Sequence, residues 1–223
     1  MSLLHPPYTL WHLSYVALGA AAAPVLHPDR LAGTVLAFFL AVGVAAHALD
    51  ELHGRPLETQ IPTPVLVGLS VGGLGAATAL GIAACLIINL WVLPLVVFGV
   101  TAVIVYNLEC FGGRLHSDLC FAVCWGAFPA LVGYWANAER LDAAAILLAL
   151  VCLVFSLVQR RLSSHVRTVR RRTLGVDGIM RLQGGDVQTL SPLSLLTPAE
   201  PALRLLTFAM VLLAIALLAT HVE

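Results

Sequence analysis

Between Glu58 and Glu109 the chain carries no charged residue. A bilayer calls for runs of this kind, because about twenty mainly apolar residues are needed to cross its hydrocarbon core. The block reads as two spans, at about 64–84 and 86–106, turning near Asn89. Pro94 falls inside the second, which a membrane helix tolerates when its neighbours satisfy the freed carbonyl. The same reading puts further spans at about 8–27, 31–49, 117–137, 142–159 and 202–220. Charged residues make up 11% of the sequence, against about 25% in a soluble domain. The expected fold is therefore all-α, a polytopic helical membrane bundle of about seven transmembrane helices in one domain. The first span is preceded by neither a basic region nor an A-x-A site, so no cleaved signal is expected.

Arginine sets the expected orientation. All twelve basic residues are Arg, and seven of them lie in "QRRLSSHVRTVRRRTLGVDGIMR", after the sixth span. Positive loops stay on the cytoplasmic side. Counting back through alternating spans puts the N-terminus and residues 50–63, 107–116 and 160–201 in the cytoplasm. Residues 182–201 read as a lid or a linker. The expected location is the inner membrane of a bacterium or archaeon. The formal net charge is zero, so no basic field points to nucleic acid. The five cysteines lie in or beside apolar runs without a C-x-x-C, and read as small hydrophobes.

This orientation gathers the chemistry at one end. His5, His12, His47, His53, His116 and His165 fall at the cytoplasmic ends of spans, with Asp50, Glu51, Glu109 and Asp118 beside them. Only His27 and His221 fall on the far side. Ionisable groups at membrane depth usually face a cavity or one another. In "AAHALDELHGRP", Asp50 and Glu51 follow His47 by three and four residues, which puts all three on one helix face. His and carboxylate at that spacing suit a transition metal. The expected ligands are His47, Asp50 and Glu51, completed by Glu109, His116 and His165, with His12 and His53 as further candidates. Imidazole favours iron or zinc, in a mononuclear or dinuclear site, over magnesium.

These stretches resemble the UbiA superfamily of intramembrane prenyltransferases. "HPPYTLWHLSYVALGAAAAP" is similar to that family's first span. "AAHALDELHGRPL" lies where the family carries N-D-x-x-D-x-x-x-D followed by R-P. "YNLECFGGRLHSDLCFAVCWGAFPALVGYWA" resembles its region after span four, and "SSHVRTVRRRTLGV" falls where its second Asp-rich motif sits. The resemblance covers residues 1–176. It implies an all-helical enzyme whose acidic motifs hold Mg and the diphosphate of an isoprenoid entering from the bilayer. Ala46, His47 and Gly54 replace three of the first motif's four positions, leaving Asp50 in place. Ser164, His165 and Arg167 stand where the second motif has acids.

Three functions are expected from these residues. The first is a UbiA-like membrane enzyme acting on an isoprenoid or other lipid, with Asp50 and Glu51 catalytic and a transition metal in place of Mg. Arg167, Arg170, Tyr106 and Asn107 would contact its substrate. The second is a Mg-dependent prenyltransferase. The third is a non-enzymatic membrane protein that binds a metal, haem or lipid.

Overall fold

A computed structural model describes residues 3–221. Seven helices follow one another: α1 (Pro6–Ala21), α2 (Pro28–Leu52), α3 (Thr63–Ile87), α4 (Val92–Asn107), α5 (Asp118–Ala138), α6 (Ala143–Arg171) and α7 (Pro192–Ala219). Five of them, α2, α3, α5, α6 and α7, are long and apolar enough to cross a membrane. The other two, α1 and α4, have 16 residues each, about 24 Å of helix beside a hydrocarbon core of about 30 Å.

The starts of the helices are written in the sequence. Pro6 and Pro28 sit at first helical positions, where the missing N–H costs nothing. Asp142 accepts the Ala145 N–H at 3.2 Å to open α6, and Ser117 accepts that of Cys120 at 3.2 Å to open α5. Ser191 and Ser194 form a capping box at the start of α7. Two π-helical stretches, Phe39–Ala46 in α2 and Val123–Ala127 in α5, widen their helices on the side where polar groups collect.

At the centre of the bundle, α1 lies against α5 and α7. Trp11, Tyr15, Leu18, Cys152 and Met210 form the largest buried cluster. Its polar atoms are paired internally, with Trp11 Nε1 and Ser156 Oγ both donating to the Tyr15 hydroxyl. The hairpin of α3 and α4 packs on the π stretch of α2. The outer faces of α3 and α7 expose Val71, Leu86, Leu205 and Phe208, which suits lipid.

Polar contacts define two ends. At one, Arg160 meets Asp118 at 2.9 Å, Arg170 pairs with Glu200, and Arg171 reaches the Pro56 carbonyl at 2.7 Å. At the other, Arg30 and Asn89 both bond Glu139 at 2.9 Å, and the His27 N–H donates to Asn137 at 2.7 Å. His221 lies at this second end, against the Ala21 carbonyl.

The element boundaries differ from expectation in five places. Helix α4 begins at Val92 rather than 86, and α7 at Pro192 rather than 202. Helix α1 stops at Ala21 rather than 27, because Pro24 and Pro28 turn the chain into α2. Helix α6 runs to Arg171, twelve residues past the expected end of its span, because arginine is a good helix former and no Gly or Pro intervenes. The stretch after α6 is not all-α. It holds a small antiparallel hairpin, β1 (Ile179–Arg181) with β2 (Val187–Thr189), in the register Met180 to Gln188.

Candidate functional site

Helix α2 ends at Leu52, and residues 53–62 fold back beneath it. Arg55 and Glu58 there take left-handed backbone, with φ of 51° and 50°. Two side chains clamp this loop. Arg55 donates to the carbonyls of Thr59 and Ile61 and to the Thr63 hydroxyl, at 3.2, 2.8 and 3.0 Å. Glu51, fully buried, accepts the N–H groups of Leu57 and Thr59 at 3.0 and 2.7 Å and the Thr59 hydroxyl at 2.8 Å. The carboxylate expected to bind metal and to be catalytic is thus committed to the loop.

His47 is buried with Nδ1 2.9 Å from the Val42 carbonyl of the π stretch. His12 is buried too, with Nδ1 2.6 Å from the Trp125 carbonyl. That carbonyl lies four residues before Pro129, which has no N–H to give it. A carbonyl only accepts, so Nδ1 carries the proton and Nε2 is left as an acceptor. Nε2 of His12 is buried without a partner among the described residues, as is the Tyr106 hydroxyl.

Asp50, one residue before Glu51, faces the bundle interior. Tyr8 of α1, Asp50 of α2, Tyr106 of α4, and Arg160 and Arg167 of α6 lie within electrostatic range of one another. The two arginines are seven residues apart, two turns of one helix, and share a face. Arg160 also stacks on the Phe121 ring, 5.1 Å from its centroid. Among the described residues Asp50 has no ion pair within 4.0 Å. Beneath this cluster lies an aromatic layer in which Tyr106 packs on Trp125 at 4.5 Å and Tyr8 on His12 at 4.3 Å. Outside the membrane-spanning segments, burial and then the Arg171 guanidinium hold the His5 imidazole below its ordinary pKa.

Glu109 stands at the rim. Its carboxylate lies between His53 Nε2, at 3.9 Å, and His116 Nδ1, at 3.7 Å. The loop that carries it turns through left-handed backbone at Glu109, Phe111, Gly112 and Gly113. The remaining expected residues are elsewhere. His165 is exposed, with Nε2 3.0 Å from the Leu195 carbonyl. Arg170 holds Glu200 at the start of α7. The Asn107 amide donates back to Val103 of its own helix at 2.6 Å.

Among the described residues no three His, Cys, Asp or Glu side chains are placed to share an ion. Paired Mg ions on a diphosphate need several hard oxygen ligands; beside its two guanidiniums the cluster has Asp50, and Asp118 already paired with Arg160 at 2.9 Å. Arg160 and Tyr8 were not among the expected site residues. Both have a sequence signal: Arg160 precedes Arg167 by seven, and Tyr8 precedes His12 by four.

On the other side of the aromatic layer is a cavity of about 230 Å³. It lies between α2, the α3–α4 hairpin and α5. Val42, Val103 and Trp125 make its floor, and Asp29 and Arg30 stand at its opposite rim.

Comparison with family models, with curated proteins and with solved structures gave no match for this chain.

Proposed function

We propose that the protein is a seven-span membrane protein of UbiA-like build, oriented with its Arg-rich end in the cytoplasm, that receives a phosphate-bearing isoprenoid or similar lipid at the cluster of Tyr8, Asp50, Tyr106, Arg160 and Arg167. One observation carries this reading: two guanidiniums on one face of α6 lie within electrostatic range of Asp50 beside an aromatic layer, Arg160 also pairing with Asp118. Guanidinium forks match phosphate oxygens with two parallel hydrogen bonds. Asp50 is then an acid–base group beside the bound phosphate, and the rings of Tyr8, Phe121 and Trp125 receive the first part of the hydrocarbon.

The test is binding of farnesyl diphosphate and of farnesol to protein purified in detergent. The diphosphate should bind at least about tenfold more tightly, since a hydrogen bond to a charged group contributes about 1.5–3 kcal/mol. Arg160→Ala and Arg167→Ala should each remove most of that preference. Asp50→Asn should tighten diphosphate binding by lifting a like charge, while stopping any turnover. Equal affinity for the alcohol and the diphosphate would count against the reading.

The orientation has its own test. In a bacterial inner membrane, an alkaline phosphatase reporter fused after Arg140 should be active, and one fused after Gly175 inactive. The reverse pattern would invert the bundle.

A further inference from the structure

The cavity between α2, the α3–α4 hairpin and α5 takes no part in the cytoplasmic cluster. Its lining follows α2 from Arg30 to Val42, about 18 Å along the helix axis. Polarity changes in order along that length. At the rim Arg30 stands beside Asp29 and bonds Glu139 and the Ala136 carbonyl, at 2.9 and 3.1 Å, both through Nη1. Its Nε and Nη2 have no partner among the described residues. Trp135, on α5 four residues before Glu139, contributes to the wall, and its indole N–H is buried with no acceptor among the described residues. Deeper positions are hydrocarbon and aromatic, down to Val42, Val103 and Trp125. The polar side chains of Thr34 and Thr78 are satisfied within their own helices. An apolar cavity of about 150 Å³ stays dry and takes a molecule the size of benzene, so this one has room for a hydrocarbon chain.

From this order the structure assigns a second ligand site: the cavity holds one acyl arm of a zwitterionic phospholipid from the leaflet opposite the Arg-rich end. The phosphate pairs with Arg30, and the ammonium with the carboxylates of Asp29 and Glu139. The ester carbonyl, an acceptor with no proton to place, takes the Trp135 N–H. The chain lies along the floor. The carboxylates on either side of Arg30 disfavour a headgroup with net negative charge. Trp125 borders both sites, but the headgroup contacts at Asp29, Arg30, Trp135 and Glu139 are separate from the proposed phosphate cluster, so either can fail alone.

The protein is equilibrated with vesicles of equal phosphatidylethanolamine and phosphatidylglycerol, extracted in mild detergent and weighed by native mass spectrometry. One retained phosphatidylethanolamine is expected. Trp135→Phe should lower its retention about fivefold, the equivalent of one hydrogen bond. Ala37→Phe, which fills the cavity, should abolish retention. Asp29→Asn should move the preference towards phosphatidylglycerol, and provides a readout if Trp135→Phe fails to fold. Melting temperatures show which variants are folded. No retained lipid, equal retention of the two lipids by the wild type, or full retention by a folded Ala37→Phe protein would overturn the assignment.

Discussion

Gly133→Ala should unseat α1 from α5 and lower stability by about 3 kcal/mol or more, at the upper end of what overpacking costs. A Cβ at Gly133 would lie 2.1 Å from the Val16 carbonyl oxygen. The contact is reciprocal, because a Cβ at Gly19 would lie 2.0 Å from the Ala130 oxygen. Both obstacles are backbone, so no side-chain rotation relieves them and the helices must move apart. In hydrocarbon such close approach is the main source of helix association, since lipid tails are as apolar as the side chains they replace. Separation would also loosen Trp11, Tyr15 and Leu18 from the central cluster, and would shift Tyr8 and His12 relative to Phe121 and Trp125. Thermal melts in detergent measure the effect, with Gly75→Ala as control. That position has nothing within 4 Å of an added Cβ, so alanine there should be neutral or slightly stabilising. Similar melts for Gly133→Ala and Gly75→Ala would show that the α1–α5 crossing does not hold the bundle together.

Five long apolar helices were legible because lipid demands uninterrupted apolar length, and that demand is local. Helices α2, α3 and α5 begin and end within about three residues of the expected limits. Helix α6 was underestimated because its arginines mark where the hydrocarbon ends, while the backbone goes on bonding itself in water. The hairpin of β1 and β2 left no readable pattern, its strands having only three residues each. The gathering of histidines and carboxylates at one end followed from alternation alone, but the partners within that end did not. Helical spacing put His47, Asp50 and Glu51 on one face, yet one residue of rotation separates Asp50, which looks towards Arg160 and Arg167, from Glu51, which looks towards the returning loop. That loop's path depends on left-handed turns at Arg55 and Glu58, where side-chain type gives little warning. Tyr8 and Arg160 come from the first and sixth helices, so their meeting is fixed by helix packing rather than by any nearby spacing.

Glu51 gives the second large effect, because two roles for one carboxylate predict different mutant behaviour. As a metal ligand or proton carrier, Glu51 would tolerate Gln with little loss of stability, and activity alone would fall. As the clamp of residues 53–62, it accepts three hydrogen bonds in a fully buried place and faces only donors. Gln then brings its own NH₂ group against either the Leu57 or the Thr59 N–H, leaving at least one buried donor unpaired. Ala leaves all three unpaired. With an unsatisfied buried group costing about 1–3 kcal/mol, Glu51→Ala should lose about 3 kcal/mol or more, and Glu51→Gln more than half of that. Hydrogen exchange should localise the damage, with the Leu57 and Thr59 amides losing protection before those of α2. The left-handed turns at Arg55 and Glu58 should relax as the loop is released, and the Arg171 contact with the Pro56 carbonyl should go with them. If Glu51→Gln melts with the wild type and keeps both amides protected, the clamp account fails and the acid at position 51 is free for chemistry.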